Sequence, residues 1–161
     1  MARVQIGRMF DKYGPSVYRR ALVLLGNPHD AEEATQEVFL RACKHLDSFE
    51  KRSSVHTWLI RITTNHCLNL LRDRRRRGEL WEQHMKPAPG HLPAMPDPEN
   101  LLLMRRLLAA ANESEARAAV YVFIEGMSHA EAADCLGVSR RTVGNLIERF
   151  RHWAAGRLEP G

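Results

Sequence analysis

The sequence predicts an all-α protein made of two small helical domains joined by a proline-rich linker, and three observations predict it. Apolar residues recur at three- and four-residue spacing along most of the chain, while strand-like alternation is missing. Helix-capping residues punctuate those runs at regular intervals. Five of the eight prolines fall between residues 78 and 100, too many for a helix or an internal strand. The expected division is a first domain over 1–77, a linker over 78–98 and a second domain over 99–161. A length of 161 residues accommodates two such small units.

The first helix is expected over Arg3–Leu25, kinked or split at Gly14-Pro15 because proline removes a backbone donor and crowds the preceding turn. Gly26-Asn27-Pro28 ends it. Asp30 is expected to open the second helix, with Glu33 as its capping-box partner. That helix should reach about Leu46 and bury Ala34, Val38, Phe39 and Ala42. A polar loop, Asp47–Ser53, leads to a long third helix from Ser54 to about Arg77, with Trp58, Leu59, Ile62, Leu68 and Leu71 as its apolar stripe. Beyond the linker, Asp97-Pro98-Glu99 restarts a helix with Asp as cap and Pro in the first turn. Four helices are expected there: Pro98–Ala111, Glu113–Glu125, His129–Leu136 and Arg140–Ala155. Asn112 with Glu115, and Ser128 with Glu131, form capping pairs, while Gly126 and Gly137 are natural stops.

The formal charge of +5 is unevenly placed. Residues 1–78 carry 15 Lys+Arg against 8 Asp+Glu, and Ser139–Arg157 carries five Arg and one Glu. Two separated basic patches suit a polyanion touched at two places. Arginine outnumbers lysine 20 to 4, which favours forked contacts to phosphate and guanine, although a GC-rich genome gives the same skew. No apolar run approaches the ~20 residues of a membrane span, and the start lacks a signal-peptide core, so a cytoplasmic protein is expected. The odd, scattered cysteines (Cys43, Cys67, Cys135) argue against disulfides and metal knuckles and are expected to be buried thiols. The histidines are equally scattered, and no HExxH, P-loop or GxSxG motif is present. Neither an enzyme nor a metal or cofactor site is expected.

The sharpest local signal is His129–Glu148. Ala132, Leu136, Val138, Val143 and Leu146 are apolar where two crossed helices pack, Ala133 is small at their closest approach, and Gly137 supplies the turn. Ser139 caps the second helix and leaves Arg140, Arg141, Thr142 and Asn145 on its front, where a recognition helix enters the major groove. A helix pair that merely packs is the alternative. The third helix pairs its apolar stripe with a polar one (Thr57, Arg61, Thr64, Asn65, Asn69) and ends in Arg72-Asp73-Arg74-Arg75-Arg76-Arg77. Such a stripe can track a phosphate backbone; a solvated end that complements the helix dipole is the plain alternative.

Taken together, these segments resemble the extracytoplasmic-function group of the sigma-70 family. Asp30-Ala31-Glu32-Glu33-Ala34-Thr35-Gln36-Glu37-Val38-Phe39-Leu40-Arg41-Ala42 looks like that family's polymerase-binding helix. Ser54-Val55-His56-Thr57-Trp58-Leu59-Ile60-Arg61-Ile62, with Asn65 and Arg72, is similar to its promoter-opening segment, and the helix-turn-helix matches its C-terminal domain. The resemblance implies a sigma-2-like bundle followed by a sigma-4-like domain. It implies docking on core RNA polymerase through Asp30, Glu32, Glu33, Gln36, Glu37 and Arg41. It implies −10 promoter contacts from Ser54, Thr57, Trp58, Arg61, Asn65, His66, Asn69, Arg72, Arg75 and Arg76, with a flipped base held near the Ser48–Ser54 loop. Ser139, Arg140, Arg141, Thr142 and Asn145 would serve the −35 element, and Arg149 and Arg151 its phosphates. An anti-sigma factor is a further implied partner. The sequence departs from the family at Gly144-Asn145, where Lys-Ser is usual. The other reading is a helix-turn-helix regulator that acts without replacing a sigma factor.

Overall fold

The computed structural model describes residues 2–49, 53–78 and 97–158. Most of the expected linker, including four of its prolines, lies outside the described residues. Two compact units divide the chain, 1–106 and 107–161.

The first unit is a three-helix bundle with a fourth helix beginning on it. Helix α1 (Ala2–Leu25) runs unbroken through Pro15, in contrast to the expected kink or split. Pro15 and Asp11, whose carbonyl loses its donor, are both solvent-exposed. The lost bond therefore falls on the wet face, where water replaces it, and the helix continues. Gly26, at φ +77°, ends α1. Helix α2 (Pro28–His45) starts earlier than expected. Asn27 is its cap, the side-chain oxygen accepting from the Asp30 amide at 3.1 Å, and Pro28 occupies the first position, where no amide is missed. Glu33 accordingly makes no capping box; it faces His29 at 3.2 Å.

A 3-10 turn (Leu46–Ser48) follows, and α3 (Val55–Arg76) is capped by Ser54, which accepts from the Thr57 amide at 3.1 Å. Met9, Val17, Val38, Phe39, Ala42 and Leu59 form the core of this bundle. Two buried threonines fit there because Thr35 and Thr63 donate to the carbonyls of Ala31 and Leu59, each at 2.7 Å. Cys67 is fully enclosed, and burial pushes its thiol up to about 12. Cys43 corrects the expectation of three buried thiols: it is exposed, about 100° round the helix from buried Ala42.

Helix α4 (Pro98–Ala110) is preceded by Asp97, which accepts from the Glu99 amide. Its Arg105 is only 5% exposed. The Arg105 Nε donates to the Val23 carbonyl at 2.9 Å, near the C-terminal end of α1, where a cation is favoured. Its guanidinium lies against Gly26, at which any Cβ would stand 2.7 Å from Cζ. Burial lowers the Arg105 pKa to about 10, so it stays charged at neutral pH.

In the second unit α5 (Glu113–Ala119) is capped by Asn112, which accepts from the Ser114 and Glu115 amides. A regular helix to Glu125 was expected; instead Val120–Ile124 is a π turn. The wider turn keeps Tyr121 in the core and leaves Phe123 47% exposed. Helix α6 (His129–Leu136) carries the complete Ser128–Glu131 capping box and stops at Gly137, φ +68°. The Val138 amide reaches the Ala133 carbonyl at 3.1 Å and closes a Schellman motif. Val138 itself is 39% exposed, so its backbone rather than its side chain shapes the turn, contrary to the packing role expected for it. Helix α7 (Arg140–Leu158) packs its Val143, Leu146, Ile147 and Ala154 stripe on α5 and α6.

Candidate nucleic-acid interface and partner groove

Three surfaces collect the residues singled out in the sequence. The first is a groove of about 420 Å³ between α2 and α3, lined by Asp30, Glu33, Glu37 and Arg41 on one wall and His66, Leu70 and Arg74 on the other. Arg74 Nη2 donates to Asp30 Oδ2 at 2.7 Å and ties the walls together. Arg41 Nε donates to Glu37 Oε1 at 3.1 Å, and that bond is the main reason the Glu37 carboxyl is held below its usual range. His66 is lowered chiefly by burial, then by Arg41, with Glu37 opposing. The ring is therefore neutral at pH 7, a neighbour of the acidic wall. Of the six residues expected to form the docking face, Asp30, Glu33, Glu37 and Arg41 meet here, while Glu32 and Gln36 stand exposed outside the groove. Leu40, within the segment likened to the polymerase-binding helix but not singled out there, is an apolar side chain 58% exposed on the outer face of α2. The available signal was its phase: it falls outside the Ala34, Val38, Phe39, Ala42 stripe.

The second surface is the outward face of α3. At 100° per residue Arg61, Asn65, Asn69, Arg72 and Arg76 share one stripe about 22 Å long. Arg61, Asn69 and Arg76 are exposed, Asn65 and Arg72 half-buried. Ser54 and Thr57 are hydrogen-bonded to each other at 2.9 Å at the head of the helix, and exposed Arg75 lies on the flank. Trp58, expected at the promoter, packs partly into the core and stacks on Phe49 with ring centres 4.7 Å apart. His66 and Arg74 turn away from this stripe into the groove. Glu50–Arg52 of the expected base-holding loop lie outside the described residues.

The third surface is the front of α7. Ser139 accepts from the Thr142 amide at 3.1 Å, and the two hydroxyls are 2.9 Å apart, so both side chains serve the cap. Arg140, Arg141, Asn145 and Arg149 are exposed. Opposite the buried stripe lie Arg141, Asn145, Glu148 and His152, spaced four, three and four residues apart and all exposed. Arg151 is differently placed: its guanidinium lies over the Phe123 ring at 5.2 Å, as Arg157 lies over Trp153 at 4.6 Å. Among the described residues no group of three His, Cys, Asp or Glu could hold a metal ion, and no helix is long and apolar enough to cross a membrane.

Comparison with known proteins finds matches in two separate stretches of the chain. The family model described as Sigma-70 region 2 matches residues 9–77, and a homeodomain-like domain matches 110–160. The chain is 38% identical over 148 residues to the ECF RNA polymerase sigma factor SigE of Mycolicibacterium smegmatis, covering 87% of this chain and 56% of that one. It is 33% identical to SigG of Mycobacterium tuberculosis, covering 83% and 45%. Against the ECF RNA polymerase sigma-E factor of Escherichia coli it is 30% identical, covering 81% and 75%. It thus spans about half the length of the first two relatives. Among solved structures, CnrH in complex with the cytosolic domain of CnrY aligns with a TM-score of 0.63 at 24% identity, covering 97% of this chain and 88% of that one. The sigma factor RpoE of Bartonella quintana, in complex with the anti-sigma factor NepR, aligns with 0.59 at 20%, covering 97% and 99%.

Proposed function

This chain belongs to the extracytoplasmic-function family of RNA polymerase sigma factors, and from that premise we propose that it binds core RNA polymerase and directs it to specific promoters. The reading assigns the unit containing α1–α3 to polymerase binding and −10 recognition and the helix-turn-helix unit to −35 recognition, with residues 78–98 as the connection. The observation that carries it is the pairing of two different surfaces in family order: a groove between α2 and α3 whose α2 wall carries Asp30, Glu33 and Glu37, and an arginine-fronted recognition helix on α7. A regulator that only binds DNA has no use for the first. In this role the protein makes and breaks no covalent bonds, needs no cofactor and works in the cytoplasm. The fold neighbour RpoE, described as a sigma factor in complex with the anti-sigma factor NepR, supports an anti-sigma factor as a third partner.

The groove makes the polymerase half testable. Glu33 and Glu37 are partly or wholly exposed and, among the described residues, pair within their own helix, to His29 and Arg41. Reversing both charges (Glu33→Lys with Glu37→Lys) is expected to leave helicity and melting cooperativity intact while sharply reducing co-purification with core polymerase. Undiminished co-purification rules out this groove as the docking face.

A further inference from the structure

We propose that Glu148 selects a cytosine in the −35 element, an inference that rests on the promoter-binding reading above. Glu148 is the one acidic residue on the outward face of α7, in line with Arg141, Asn145 and His152. It is exposed and makes no ion pair among the described residues. The neighbour that ordinarily neutralises such a glutamate, Arg151 three residues on, is instead held over the Phe123 ring. Buried Leu146 and Ile147, just before it, fix the rotation of the helix, so the carboxylate is held facing away from the protein.

A carboxylate on a surface that meets DNA is repelled by the phosphates and is favoured only where the groove offers it a donor. In the major groove guanine shows N7 and O6, and thymine shows O4, all acceptors that repel it. Adenine pairs its N6 donor with an N7 acceptor, whereas cytosine shows only the N4 amine. Glu148 therefore accepts from cytosine N4 and rejects guanine and thymine. Seven residues separate it from Arg141, roughly 10 Å along the helix. That is about three base-pair rises of ~3.4 Å. Arg141 and Glu148 thus read base pairs about three steps apart, one through donors and the other through acceptors.

The test uses full-length protein with core polymerase on a library of randomised −35 elements, comparing wild type, Glu148→Gln and Glu148→Ala. Wild type is expected to select cytosine at one position. Glutamine, which carries a donor beside its acceptor and pairs with adenine N6 and N7, is expected to move that position alone to adenine. Alanine is expected to flatten it by roughly tenfold, and to raise binding to unselected sequences because the repulsion of the phosphates is gone. The proposal is overturned if both variants keep the wild-type preference at every position. A uniform loss across all sequences also overturns it, since that marks a packing role. If wild type itself shows no −35 preference, the promoter-binding reading fails together with it.

Discussion

The arginines at the end of α3 and those at the front of α7 look alike in sequence but stand in opposite electrostatic settings. Arg74, Arg75 and Arg76 occupy the last turn of α3, where the helix dipole favours cations. One of them, Arg74, is spent on an internal bridge to Asp30. Arg140 and Arg141 occupy the first turn of α7, which holds no acidic residue, so the same dipole opposes them. They are exposed and make no ion pair among the described residues. The contrast teaches that a charge run has to be judged by where it sits on its helix. The α3 cluster is stabilising before it meets any ligand. The α7 pair costs the fold a little, a cost that promoter binding would offset in the proposed role.

Five sets of variants break or sharpen this contrast. The largest expected effect comes from Arg140→Ala or Arg141→Ala, which should lose about 1–3 kcal/mol, roughly ten- to a hundredfold, at the preferred −35 sequence. Thermal unfolding of the same variants should show unchanged or slightly raised stability, by about 0.3–1 kcal/mol. A clear loss of stability would place these arginines in the same class as those of α3. Next is Arg74→Ala, expected to destabilise the first unit by roughly 1.5–2 kcal/mol because it strands a partly buried Asp30 carboxylate. Arg75→Ala should stay within about 0.5 kcal/mol, but together with Arg76→Ala it should lower the salt slope of promoter binding by about two. Denaturant titration and a salt series separate the two roles.

A smaller effect is expected within α7 itself. A Cβ at Gly144 would meet nothing closer than His129 Nδ1 at 3.9 Å. Gly144→Ala should therefore raise stability by about 1 kcal/mol; destabilisation would mean that the glycine serves a contact absent from the free protein. The smallest effect concerns pH. His66 is held below its ordinary value of 6.5, mainly by burial, so folding favours its neutral ring. That contribution is complete above about pH 6.5 and is lost as pH falls toward the folded value. His66→Gln should flatten the stability profile in that window; an unaltered acid limb would refute the assignment.

What the sequence made legible was local, and what it concealed was tertiary. Ser128 with Glu131, Gly137 and the bounds of α6 follow from residues within one turn of each other, and so does the front of α7. Asn27 displaced Asp30 as a cap because Pro28 is itself a favoured first residue, a competition between two local signals. The remaining differences come from distance along the chain. Asp30 and Arg74 are 44 residues apart, and Arg105 reaches back 82 residues to Val23. No periodicity announces such pairs. Trp58 packs partly into the core as its place in the apolar stripe suggested, but its partner there, Phe49, stands nine residues back across a turn and was not legible. The π turn at Val120–Ile124 left no mark in a run of apolar residues that reads equally well as plain helix.

The most direct test of the central claim is run-off transcription from a promoter selected with this protein and core polymerase, each component also assayed alone. The expected result is a discrete transcript only when both are present, abolished by Glu33→Lys with Glu37→Lys and weakened by Arg141→Ala. Sequence-specific binding by the free protein, with no transcript when core polymerase is added, would contradict it and identify a regulator that does not replace a sigma factor.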